Sequence, residues 1–118
     1  MRTVYFTDGT AEGFFSAVFD AYGDKGALLT SSDAFQAALD DSFVRVPPSP
    51  EKAARVVRKL EALDRSCLYE IDCILRTPEA DREQAAFLYI HLLTERKGPV
   101  RGMLSRPEVR RARELAER

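Results

Sequence analysis

One stretch near the start constrains the fold more than any other: Val4-Tyr5-Phe6-Thr7-Asp8-Gly9-Thr10-Ala11-Glu12-Gly13-Phe14-Phe15-Ser16-Ala17-Val18-Phe19-Asp20-Ala21-Tyr22. Val4 to Thr7 is β-branched and aromatic, and Asp8-Gly9 is turn chemistry. Ala11, Phe14, Phe15, Val18, Phe19 and Tyr22 then recur at helical spacing. The pattern predicts a strand, a tight turn and an amphipathic helix. Aromatic side chains bury roughly 150–250 Å² each, so a helix carrying this many should pack on the strand before it and on elements after it. Asp8 is expected to cap this helix, and Gly9 to supply a backbone angle that other residues resist. Gly9 and Gly13 are too sparse to cradle a phosphate, and no GxGxxG, P-loop or CxxC motif occurs.

Helical and strand signals continue along the chain. Gly23 and Gly26 frame a turn after Tyr22. Ala27-Leu28-Leu29-Thr30 is too short to tell a strand from a helical turn, and Ser31-Ser32-Asp33 offers caps for a short helix over 34–39. Ser42 to Val46 alternates and is closed by Pro47-Pro48, as a strand beside the first would be. Ser49 is a candidate N-cap with Pro50 at the first helical position, and Ala53, Val56, Val57, Leu60 and Leu63 line one face. Asp64 is expected to cap a third helix containing Cys67, Ile71 and Ile74. A fourth restarts at Thr77-Pro78-Glu79 and runs to Lys97, where Gly98-Pro99 stops it. Ser105 and Glu108 match a capping box for a fifth. No stop signal follows, so the chain ends mid-helix, compatible with being the N-terminal domain of a longer protein.

At 118 residues, 45% hydrophobic and 31% charged, the chain fits one globular domain over 1–118 with a core that needs no disulfide. No apolar run approaches a secretion signal or a membrane span, so the expected location is cytoplasmic, with no membrane partner. Cys67 and Cys73 stand six positions apart on one predicted helix, roughly 9 Å along its axis, too far for a disulfide. With no nearby His they also make a poor zinc site, and no metal or other cofactor is predicted. Core packing is the expectation for both.

The net charge of -1 conceals segregation. Residues 1–44 carry two basic and seven acidic groups, net -5, and residues 45–59 carry five and one, net +4. Residues 60–95 carry three and eight, net -5, and residues 96–118 carry eight and three, net +5. Two basic segments fit binding to nucleic acid or an acidic partner, and equally fit pairing with the acidic blocks inside the fold.

Lys52, Arg55 and Lys59 fall at i, i+3 and i+7 on the helix after Pro50, with Arg58 one step round and Arg45 on the preceding strand. Such a ridge can follow a phosphate backbone and release its counterions. A solvated face with snorkelling lysines has the same pattern. In the second cluster, Arg110 with Glu114 and Arg113 with Glu117 are spaced for pairing, leaving Arg101, Arg106 and Arg111 as the candidate contacts. Phe87 and His91 stand one turn apart on the nominally polar side of the fourth helix. They mark either a partner-binding face or a helix buried nearly all round. Neither His91 nor any Ser or Cys is set in a nucleophile–base motif, and no catalytic residue is assigned.

The opening Tyr5 to Tyr22 resembles the "YDG(S/T)xEGFLxAxFxAY" start of a bacterial family described as probable DNA metabolism proteins. Val46-Pro-Pro-Ser-Pro-Glu-Lys-Ala-Ala-Arg-Val-Val-Arg-Lys-Leu60 is similar to that family's "V.TD..KA.RV...L" segment, and the similarity continues through Pro107 to Ala116. Thr7 stands where the opening motif has tyrosine, and the family's C-terminal "HR..GF.RF" pattern does not occur. The resemblance implies a DNA modification or repair accessory. Members are encoded beside a radical-SAM protein of the photoproduct-lyase kind, and similar regions are fused to uracil-DNA-glycosylase-like domains.

Together these readings predict an α+β fold, with a small two- or three-stranded antiparallel sheet packed against about five helices. The expected function is a non-catalytic DNA-metabolism module that binds nucleic acid through Arg45, Lys52, Arg55, Arg58 and Lys59. The alternatives are docking of a radical-SAM or glycosylase-like partner through Phe87 and His91 or the last helix, and an enzyme fragment with its active site beyond residue 118.

Overall fold

The structure is a computed structural model that describes residues 2–24, 26–32, 38–100 and 102–117. The chain divides into two compact units, Met1–Val56 and Val57–Arg118. Among the described residues are three strands and five helices, an α+β fold. No described helix is long and apolar enough to cross a membrane.

The first unit holds β1 (Thr3–Phe6), α1 (Ala11–Ala21), β2 (Leu28–Thr30), β3 (Ser42–Arg45) and the start of α2 (Pro50–Leu63). The strands form one sheet in the order β2-β1-β3, and both pairings are parallel. The antiparallel expectation is therefore wrong. A helical connection between β1 and β2 returns the chain to the starting edge of the sheet, so β2 enters in the same direction as β1. Alternation within Ser42 to Val46 identifies a strand but carries no information about its direction. The ambiguous Ala27 to Thr30 segment is settled as strand from Leu28. The short helix expected over 34–39 falls largely outside the described residues.

Central placement gives β1 neighbours on both sides, and the ladder extends beyond the strands. Thr7 N–H donates to Thr30 O at 3.0 Å, and Val46 N–H to Phe6 O at 2.9 Å. Val4 and Leu29 are buried on opposite faces of the sheet, and Phe14, Ala17, Val18 and Ala21 of α1 complete much of this core. The aromatic residues of this stretch do not all join it, because Phe19 of α1 and its C-cap Tyr22 are exposed.

The β1–α1 turn corrects the capping assignment. Thr10, not Asp8, is the N-cap, and its hydroxyl accepts from Gly13 N–H at 3.0 Å. Asp8 sits one step further back, where Oδ1 accepts from Thr10 N–H at 3.0 Å and from Thr10 Oγ1 at 2.6 Å. These bonds hold the Asp8 carboxyl below the usual carboxylate range. Gly9 has φ of 86°, as its place in the turn requires.

The second unit continues with the end of α2, then α3 (Cys67–Leu75), α4 (Arg82–Arg96) and α5 (Pro107–Ala116). Ile71, Ile74, Phe87, Leu93, Val109 and Leu115 from the last three helices are buried. Cys67 is buried and Cys73 half-buried, and the two are unbridged.

Three helix starts differ from expectation. Asp64 does not cap α3 directly, because its Oδ1 accepts from Ser66 N–H at 3.1 Å and Ser66 Oγ at 2.7 Å, and Ser66 is the N-cap. Helix α4 begins at Arg82 rather than at Thr77-Pro78-Glu79. The capping box of α5 does not form, since Arg106 is the N-cap and Glu108 pairs with the Arg106 guanidinium at 3.0 Å. For Asp64 and Glu108, a nearby side chain competes for the polar group that the cap would use. At the end of α4, Lys97 rather than Gly98 takes the left-handed conformation, with φ of 58°.

Candidate nucleic-acid interface

The five basic residues of the first predicted cluster are treated very differently by the fold. Lys52 Nζ lies 2.7 Å from Asp20 Oδ1 and 5.7 Å from the centre of the Phe19 ring, so its charge fastens the start of α2 to α1. Arg45, at the end of β3, is exposed and places its guanidinium 5.9 Å from the centre of the Phe6 ring. Arg55, in the first unit, and Arg58, in the second, are exposed. Neither forms an ion pair among the described residues. Lys59 is also exposed. Lys52 and Arg55, at i and i+3 in the first unit, fall on one stripe of α2.

The second predicted cluster is largely neutralised within its own unit. Arg111 makes a two-pronged ion pair with Asp81, at 2.7 and 2.9 Å, and reaches Glu114 at 2.9 Å. The hydrogen bonds to Asp81 and then to Glu114 push the Arg111 guanidinium pKa up, and the reciprocal bond holds the Asp81 carboxyl below its usual range. Arg106 is held by Glu108. Arg113 pairs with Glu117 as spacing suggested, whereas Glu114 is taken by Arg111 rather than by Arg110. The expectation that Arg111 has no partner on its own helix does not hold. Arg101 lies outside the described residues.

Phe87 is 1% exposed, which makes α4 a helix buried nearly all round and leaves that ring no surface for a partner. Its edge meets the His91 ring at 4.5 Å between centres. The sequence pattern misleads here because it assigns Phe87 to a polar face that α4, packed by both α3 and α5, does not keep.

Two polar features of the second unit lie outside the predicted sites. Glu83 is buried beside Arg82, whose Nε donates to it at 2.9 Å while the guanidinium also donates to Thr77 O. Tyr89 Oη donates to Glu70 Oε2 at 2.7 Å, and burial followed by that bond raises the phenol above its ordinary range. Near Glu70 opens a groove of about 540 Å³ lined also by Tyr69, Cys73, Arg113 and Ala116. Among the described residues no group of three or more His, Cys, Asp or Glu is placed to hold a metal ion.

One surface in the first unit has no counterpart among the predicted sites. Phe43 of β3 is 52% exposed and stacks on Phe6, with ring centres 5.9 Å apart and planes 22° apart. Its signal in the sequence is Phe43 and Arg45 at i and i+2, which share one face of a strand closed by Pro47-Pro48. Recognising it requires knowing that β3 is an edge strand and that Phe6 is its neighbour. Comparison of the chain with protein-family models, with curated proteins and with solved structures found no match.

Proposed function

We propose that this chain is a non-catalytic nucleic-acid-binding module of DNA metabolism, with contacts on exposed cations of each unit, Arg45 and Arg55 in the first and Arg58 and Lys59 in the second. The observation that carries this reading is the state of Arg55 and Arg58: both are exposed and without an ion pair among the described residues. Arg45 joins them as an exposed cation, with Lys59 beside them in sequence. Lys52 contributes less because Asp20 already holds it. The neutralised Arg106 and Arg111 are supporting structure in this reading, fixing the start of α5 and joining it to α4.

An arginine without an internal ion pair breaks no such pair when it meets a phosphate, and each phosphate neutralised releases counterions. Binding should therefore weaken with salt. The test is fluorescence anisotropy of labelled duplex and single-stranded oligonucleotides over a salt series, comparing the wild-type chain with the R55E/R58E/K59E variant. The expected result is binding that the variant weakens at least about 10-fold, with a salt slope shallower by about 0.7–0.9 for each phosphate no longer neutralised. Absence of binding to either oligonucleotide, or equal binding by the variant, would overturn the assignment.

A further inference from the structure

Phe6, Phe43 and Arg45 form a surface that suits unpaired bases better than a duplex. We infer that the sheet edge at β3 is a stacking platform for single-stranded nucleic acid. This deepens the reading above and rests on it only in taking the chain to bind nucleic acid.

Register places the three side chains together. Val4 is opposite Phe43 and Phe6 is opposite Arg45, and paired residues of neighbouring strands share a sheet face. Phe6, Phe43 and Arg45 therefore emerge together. One side of the Phe43 ring rests on Phe6, while 52% of the residue is open to solvent. Burying a ring of this size is strongly favoured, and Phe43, on a strand with no outer neighbour among the described residues, leaves apolar area uncovered. Arg45 supplies the complementary charge, held 5.9 Å from the Phe6 ring centre.

The open face of Phe43, backed by Phe6 and with an adjoining guanidinium, matches the pairing of base and phosphate along a single strand, where stacking is tolerant of sequence because every base has a π-face. A duplex hides those faces inside its own stack. Three acidic groups of this unit are turned toward other partners. Asp24 and Asp20 act on Tyr5, which alternates to the other face of β1 and whose phenol is raised first by burial and then by those charges. Asp41, just before β3, is engaged by Arg2 at 2.8 Å and by Ala38 N–H at 2.8 Å.

The chemistry also separates this surface from the ridge on α2. A ridge of cations binds through counterion release and should be steeply salt-dependent. A platform with one arginine binds mainly through stacking and should be only weakly so.

The experiment compares labelled oligothymidine with a duplex of equal length, using the full chain and its F43A, F43W and R55E/R58E/K59E variants. Single-strand affinity should exceed duplex affinity, fall about 5- to 100-fold in F43A, and return in F43W, which keeps a stacking face. Far-UV circular dichroism of F43A establishes that the fold is retained, and recovery in F43W separates lost stacking from lost structure. If both oligonucleotides bind and only the charge-reversal variant weakens them, the platform fails while the basic ridge stands. If F43A alone weakens single-strand binding, the ridge fails and the platform stands. No binding of either oligonucleotide overturns both. A dimer seen by light scattering that dissociates in F43A, with single-strand affinity unchanged, overturns the platform and assigns the edge to a second copy of the chain.

Discussion

The Ser16 hydroxyl accepts a hydrogen bond from the backbone N–H of Ser49 at 2.8 Å, across 33 residues of chain. Ser16 is fully buried, and the same hydroxyl donates to Glu12 O at 2.8 Å. One small side chain thereby ties the middle of α1 to the entry of α2 within the first unit. Replacing Ser16 with Ala strands the Ser49 amide, a loss of about 1–3 kcal/mol in equilibrium urea unfolding. The Ser49 hydroxyl, by contrast, receives Lys52 N–H only at 3.4 Å, so S49A should cost less than S16A. The reverse order would mean that helix capping, not the cross-chain bond, is what holds this junction.

Gly13 and Asp8 should be energetically coupled. A Cβ on Gly13 would overlap Asp8 Oδ1, the oxygen that receives both Thr10 bonds. G13A therefore gains helix propensity but displaces the Asp8 carboxylate, two effects of about 1 kcal/mol and opposite sign. In a D8A background the overlap is gone, leaving the gain and a tight 3.2 Å approach to Thr10 Oγ1. G13A should be close to neutral in the wild type and stabilising by roughly 0.5–1 kcal/mol in D8A. A double-mutant cycle with zero coupling would refute the overlap.

Lys97 ends α4 in the left-handed conformation, where a side chain costs about 1–2 kcal/mol and glycine escapes the penalty. Its amide still donates to Leu93 O at 2.8 Å, so the cap itself depends on backbone alone. K97G should raise stability by roughly 0.5–1 kcal/mol after the added unfolded-state entropy is counted. Thermal unfolding reads the sign, and a lower midpoint in K97G would show that the lysine side chain contributes more than its backbone strain costs.

The Asp81–Arg111 ion pair predicts an acid-side effect in the second unit. Asp81 has its folded pKa depressed, chiefly by the Arg111 hydrogen bond. A group of that kind stabilises the fold at pH above its unfolded value of about 3.9 and loses the contribution as pH falls through the folded pKa. D81N should therefore be less stable than wild type at neutral pH, by up to about 1 kcal/mol because the pair is partly exposed. The two should converge below about pH 4, and the gap should shrink in high salt. A difference that persists unchanged at low pH would assign it to something other than the carboxylate charge.

Much of the fold is legible in the sequence because its signals are local. The β1 strand, the Asp8-Gly9 turn, the end of α1 near Tyr22 and the Pro50 start of α2 all follow from residue types within a few positions of each other. The caps are less legible. Asp8, Asp64 and Glu108 sit where a cap could form, but each is engaged by a neighbour two positions away, and sequence spacing does not rank two short-range bonds against one another.

For the candidate interface the sequence supplies the cations but not which of them remain available. Lys52, Arg55 and Arg58 look alike along α2, yet Lys52 meets Asp20, 32 residues earlier, and Arg55 and Arg58 meet no acid among the described residues. Arg111 has Glu114 within its own helix, but its two-pronged partner Asp81, at the start of α4, lies 30 residues earlier. The sequence by itself determined most element types, the aromatic core helix and the alternating charge blocks, since periodicity and composition are properties of the chain. Only the tertiary structure decided strand direction, the burial of Phe87 and the pairing of Phe6 with Phe43. Those depend on which distant segments meet, and parallel pairing through a helical crossover joins residues that no local pattern relates.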